Sequence, residues 1–145
     1  MLLDKIKNYI NEKIAEDTEL NVSIGVREQY PYGHKPNPPE ILLSVMDDVE
    51  METATTFDGE TVSNISLQII PVANSMNIGG KKHNAQNSCT ILGDKIAMWF
   101  EKNAIKQILP EIINTRRVQK SNSIPYENGT TAYYAILRFS LMVNK

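Results

Sequence analysis

The sequence predicts an α+β fold: two layers, a mostly antiparallel sheet, and two main helices packed on one of its faces. Three observations predict it. Two stretches carry apolar residues at three- and four-residue steps, the spacing of one helix face. Several others alternate apolar and polar residues, the spacing of a half-buried strand. Most strands follow one another in hairpin fashion, which favours antiparallel neighbours. At 145 residues the chain suits one compact domain spanning 1–145, with no repeat, coiled coil or internal boundary.

From the N-terminus, Leu3, Ile6, Ile10 and Ile14 form the apolar stripe of a helix over Leu2 to Ala15, and Lys5, Asn8, Asn11 and Glu12 fill its other face. Val22, Ile24 and Val26 alternate with Ser23, Gly25 and Arg27, which is a strand. Tyr30 to Pro39 holds four prolines, which remove backbone donors and fix φ, so it is an exposed loop. Ile41, Leu43 and Val45 make a second strand, and Val49 to Phe57 continues it or begins another. Asp58-Gly59 between alternating runs marks a hairpin, because a type I′ turn needs positive φ at both central positions. The returning strand is Val62 to Val72, with Pro71 at its end or on an edge.

Ala73 to Ser88 is polar, contains Gly79-Gly80, and is expected to be a mobile loop. A helix then starts near Asn87 or Ser88, with Cys89, Leu92, Ile96, Trp99 and Phe100 on one stripe. Gly93 weakens it by about 1 kcal/mol relative to Ala, or permits close packing. A short helical piece, Ala104 to Leu109, stops at Pro110. Ile112 to Lys120 has a poor alternation and is expected at an edge or facing solvent. Thr130 to Val143 is the clearest strand: Tyr133, Ala135, Leu137, Phe139, Leu141 and Val143 point one way, and Tyr134, Ile136, Arg138 and Ser140 the other.

Fifteen Lys and Arg against seventeen Asp and Glu give a formal charge of -2, so no general electrostatic case exists for binding nucleic acid or a membrane surface. One cysteine, Cys89, cannot form an intrachain disulfide. The first residues, MLLDKIKNYINEKI, interleave charge with apolar residues and are not expected to be a signal peptide. No run approaches the ~18 apolar residues of a membrane span. Asn64-Ile65-Ser66 and Asn128-Gly129-Thr130 match the glycosylation pattern, which matters only in a secretory compartment. The expectation is a soluble, cytosolic domain.

The residue types that carry chemistry are sparse. His34, His83 and Cys89 are the only imidazoles and thiol, and their spacing fits no standard zinc site. Gly79-Gly80-Lys81-Lys82 lacks the glycine spacing and the Lys-Ser/Thr of a phosphate-binding loop. No Gly-x-Ser-x-Gly elbow is present, and Cys89 falls on a buried stripe where a thiolate is disfavoured. Asp47, Asp48, Glu50 and Glu52 form the densest acidic stretch, read as a solvated strand face. Arg116, Arg117 and Lys120 form a small basic cluster without interleaved aromatics, a weak nucleic-acid signal. The expectation is therefore no catalytic residue, no metal and no cofactor. The candidate interaction surface comprises Tyr30, Tyr32 and His34 in the proline-rich loop, Asp58 and Gly59 at the hairpin, Lys81 and Lys82, and Arg116 and Arg117. Exposed tyrosines suit protein contacts, since they bury area at low entropic cost.

The order of an N-terminal amphipathic helix, a strand, a long hairpin around Asp58-Gly59, a central helix around Leu92–Phe100 and a terminal Tyr133–Leu141 strand (Tyr-x-x-x-Leu-Arg-Phe-x-Leu) resembles the tail terminator and minor capsid proteins of long-tailed phages and prophages. The resemblance is one of element order and covers nearly the whole chain. It implies a non-enzymatic virion protein, assembled in the host cytoplasm, that caps the tail tube and joins tail to head. It also implies a homo-oligomeric ring, commonly a hexamer, contacting the tail tube protein and head–neck proteins while DNA passes through without specific binding. A related neck or minor capsid component fits the same order. The alternative from another class is a small protein-binding adaptor that uses the Tyr30–Pro39 loop.

Overall fold

The computed structural model describes residues 2–20, 22–28, 37–45, 53–55, 61–101, 104–125 and 132–144. Its elements are α1 (Leu2–Glu16), β1 (Gly25–Glu28), β2 (Glu40–Val45), β3 (Thr53–Thr55), β4 (Thr61–Ala73), β5 (Met76–Ile78), β6 (Lys81–His83), α2 (Ala85–Trp99), β7 (Ile112–Lys120), β8 (Ile124–Pro125), β9 (Tyr133–Tyr134) and β10 (Leu137–Asn144). The main sheet runs β1-β2-β4-β10-β7, with β3 and β9 also on β4 and β8 on β9; β5 and β6 form a separate ribbon. The β2/β4, β4/β10 and β10/β7 pairs are antiparallel, and β1 lies parallel to β2. The α+β class, the mostly antiparallel sheet and the helices on one face are as expected.

The alternating residues of three central strands build the core. Leu43, Ile69 and Leu137 face one another in register, as do Leu67 and Phe139, and each of these five is at most 2% exposed. Both helices cover this face. Ile6, Tyr9 and Ile10 of α1 and Cys89, Leu92 and Ile96 of α2 belong to the same apolar cluster as the strand residues. Phe100 joins the layers: its ring lies edge-on to Tyr9 at 5.7 Å and stacks on Phe139 at 5.0 Å. The Tyr9 hydroxyl donates to the Trp99 carbonyl, which is freed at the end of α2. Burial, with the Glu16 carboxylate adding to it, pushes the Tyr9 hydroxyl up to about 12. Lys95 of α2 donates to Asp17 at 2.8 Å and to Glu19 at 3.0 Å, tying the helix to the connection after α1. Burial alone would raise Asp17 and lower Lys95; their mutual hydrogen bond, with others from Glu19, reverses both shifts, so each group holds its charge more tightly than usual.

Four expectations change. Ala73 to Ser88 is an ordered hairpin rather than a mobile loop. Met76 and Ile78 of β5 are 3% and 4% exposed, Gly79 and Gly80 take φ of 62° and 79°, and the Gly79 N–H donates to Glu19 O at 3.0 Å. Two consecutive positive-φ glycines are what a tight two-residue strand turn requires. Next, α2 begins at Ala85, because the Asn84 side chain accepts from the Asn87 N–H at 2.8 Å and caps it. Residues 104–109 form hydrogen-bonded turns and not a helix; Leu109 N–H bonds to Ile105 O at 2.8 Å without continuation. Lastly, Pro71 lies inside β4, paired with Ile41. It has no N–H to give the strand on its other side. There the chain breaks at residues 135–136, between β9 and β10, and only the Pro71 carbonyl is used, by Ala135 N–H at 3.2 Å.

The other face of the sheet carries no helix among the described residues. Gln68 and Arg138 meet across it, Arg138 donating to Gln68 at 3.1 Å, beside Ser66 and Ser140. One end of this face holds a smaller apolar cluster of Leu42, Ile70, Val72 and Ala132, flanked by Tyr134 and Ile136.

Candidate functional site

Of the nine residues singled out from sequence, Tyr30, Tyr32, His34, Asp58 and Gly59 lie outside the described residues. Lys81 and Lys82 project, exposed, from β6 just before the start of α2. Arg116 and Arg117 lie on β7, near the other end of that helix, where Thr115 bonds to Phe100 O at 2.8 Å. The 15 residues of α2 are about 22 Å long. The two basic pairs therefore form no common patch.

Arg116 and Arg117 are themselves divided. Arg117 stands opposite Phe139 and faces the helix layer; Arg116 stands opposite Ser140 and faces the open side. Lys120, on the helix side, is engaged by Asp94 of α2. Among the described residues neither arginine has an ion-pair partner. A shallow concavity of about 340 Å³ lies on the helix side of β7, lined by Phe100, Glu101, Arg117 and Phe139, and Arg116 borders it as well. A second, of about 230 Å³, lies on the open side between Asn64, Asn114 and Arg116.

The described part of the molecule offers little for covalent or metal chemistry. Cys89 is fully buried, its thiol turned to the Pro71 carbonyl. Burial raises its pKa, opposed only in part by Ser123. It is therefore a neutral, inaccessible thiol at neutral pH. The buried carboxylate Glu40 is held by Arg27 and by the Asn37 N–H at 2.7 Å, which fixes the start of β2 against β1. Among the described residues no three His, Cys, Asp or Glu side chains are grouped to hold a metal ion.

The surface feature that remains is the rim at β7. This strand ends the sheet, and among the described residues nothing pairs with its outer side. Its ladder to β10 is interrupted twice. Gln119 pairs with Arg138 and Arg117 with Phe139, so Val118 is extra; Asn114 pairs with Met142 and Ile112 with Val143, so Ile113 is extra. Each is the added residue of a β-bulge. These two residues are 59% and 38% exposed. Of the five large apolar side chains exposed among the described residues, Val118 and Ile113 lie on β7 and Ile108 lies in the turns leading into it. A fourth, Met98, follows Asp94 by four residues on α2 and so shares the helix face that reaches Lys120. Only Val45 lies elsewhere. The alternation of Ile112–Lys120 read from sequence places Val118 in line with Arg116; the bulges, invisible in that pattern, take it out of line.

No protein-family model matches the chain, and no curated protein is similar to it in sequence.

Proposed function

We propose that the chain is a structural, non-enzymatic protein of a phage or prophage head–tail junction, a tail terminator or a closely related neck component. In this reading it acts as a ring of identical subunits that caps the tail tube, binds head–neck proteins, and lets DNA pass without gripping it. The observation that carries the reading is the β7 rim: a nine-residue edge strand with exposed apolar side chains and two arginines that have no ion-pair partner among the described residues. Such a rim is a contact surface for protein. The resemblance in element order and the near-neutral charge support the same reading, since a conduit for DNA should not bind it.

The test is an assembly assay. Tail tubes made without this chain are incubated with the purified protein and examined by electron microscopy. The expected result is density capping one end of each tube, and tubes that then accept filled heads. Uncapped tubes at saturating protein, together with unchanged virion yield when the gene is removed, would refute the proposal.

A further inference from the structure

Among the described residues the outer side of β7 is open, and strand geometry dictates what a chain laid against it would meet. Side chains alternate between the two faces of a sheet, and directly opposed residues share a face. On the helix side, Ile65, Leu141 and Thr115 form one cross-strand row, and Leu67, Phe139 and Arg117 form another. On the open side, Ser66, Ser140 and Arg116 form the row between them. A strand added to β7 would extend all three rows by one residue each. Whichever way it runs, its residue beside Arg116 falls on the open side, and the two neighbours of that residue fall on the helix side.

The two faces ask for different chemistry. On the helix side Thr115 is 4% exposed, and it lines the 340 Å³ concavity with Ala97, Phe100 and Phe139. Met98 and Val118, next in the chain to the lining residues Ala97 and Arg117, are 54% and 59% exposed. Arg117 and Glu101 border this concavity with opposite charges. An apolar side chain suits it. On the open side Arg116 lies beside Asn64, Asn114 and Ser140. The strands β4, β10 and β7 contain no Asp or Glu, so nothing on them neutralises Arg116. A carboxylate suits that position. The bulges at Ile113 and Val118 confine regular pairing to the four residues Asn114 to Arg117, and bulges and charges on an edge keep strands from adding without limit.

From these observations we infer that β7 receives a short extended segment of a partner protein in which one acidic residue stands between two apolar ones. The carboxylate pairs with Arg116 on the open side. The apolar neighbours lie on the helix side, beside Thr115 and the methylene stem of Arg117. In strand addition of this kind, backbone bonds supply affinity and alternate side chains supply selectivity. This rests on the reading of the rim as a protein contact surface and adds the chemistry of what the rim receives.

NMR titration of the full, isotope-labelled chain tests it with two end-blocked peptides, Ser-Gly-Val-Asp-Val-Gly-Ser and Ser-Gly-Val-Lys-Val-Gly-Ser. The aspartate peptide should bind saturably, with a dissociation constant below about 1 mM, and shift the backbone amides of Asn114 to Arg117. The lysine peptide should bind at least about tenfold more weakly. Arg116→Glu should reverse the order of the two. Lys82→Glu, the same charge change on the exposed face of β6, should leave the order as in wild type. Circular dichroism confirms that each variant folds. Four outcomes would each overturn the inference: no binding of the aspartate peptide, equal binding of both peptides, an unchanged order in Arg116→Glu, or shifts confined to other strands. Self-association that shifts the same amides as concentration rises would also overturn it, by making a second copy the occupant. Peptide binding with the expected order in a chain that never caps tails would remove the functional proposal and leave this contact. Tail capping by a chain that binds neither peptide would do the reverse.

Discussion

Phe139 and Arg117 face each other across one strand ladder, yet they belong to different regimes. Phe139 is 2% exposed and stacked on Phe100, with Leu137 and Leu141 beside it on β10. Arg117 is exposed and has no ion pair among the described residues, on a strand that buries only Ile112 and Thr115. The central strands of the sheet hold the fold, while β7 is pinned by its ladder to β10, the buried Ile112 and Thr115, and the Lys120–Asp94 pair. A strand held so lightly is free to carry residues chosen for something other than stability, which is why its exposed valine and isoleucine are informative.

The widest gap between the two regimes should appear on truncation. Phe139→Ala is expected to lower unfolding free energy by about 3–5 kcal/mol, and Arg117→Ala to change it by no more than about 0.5 kcal/mol. Urea unfolding measures both, and comparable losses would erase the distinction. Tyr9→Phe comes next. It removes the donor to the Trp99 carbonyl and should cost about 1–2 kcal/mol. It also has a pH signature. An unfolded tyrosine titrates near 10 and the folded Tyr9 near 12, so the unfolded chain loses this proton first. The stability that Tyr9 contributes is complete below about pH 10 and drains away as pH rises toward 12. Melting temperatures of wild type and Tyr9→Phe should therefore converge as pH rises through that window. One further effect carries the opposite sign. A Cβ built at Gly93 would meet Leu137 Cδ1 at 3.9 Å, an ordinary contact, so the glycine is not demanded by packing. Gly93→Ala should raise stability by about 0.5–1 kcal/mol through helix propensity alone. A destabilised variant would mean that the interface between α2 and the sheet tolerates less than its spacing indicates.

What could be read from the sequence follows from how local each signal is. The stripe Ile6, Ile10 and Ile14 and the alternation from Tyr133 to Val143 are written in consecutive residues, and both elements formed where expected, apart from the break at 135–136. That break is set by Pro71, more than sixty positions earlier in the chain. The Met76–His83 hairpin was missed for the same reason. Only Met76 and Ile78 are buried, and part of their environment comes from Leu20, which lies between α1 and β1 in the chain and bridges to Ile78. Lys81 and Lys82, which made the segment look like a loop, simply occupy an exposed strand. At the candidate site the edge position of Ile112–Lys120 was legible from its poor alternation. The separation of Arg116 from Arg117 follows from strand periodicity and could have been drawn from it. The bulges could not, because they express a mismatch between two strands and leave no mark on either one.

The two bulges also limit how much any one junction at the β7 rim can contribute. Between them only Asn114 to Arg117 keep a regular register with β10, so an added strand would find few backbone bonds there. In the ring proposed above, the last contact would form between subunits already held together, at an effective concentration far above that in solution. Incomplete rings would then be scarce, and complete ones would appear abruptly above a threshold of free protein. An edge of low individual affinity would in this way favour correction of misplaced subunits before closure and persistence after it.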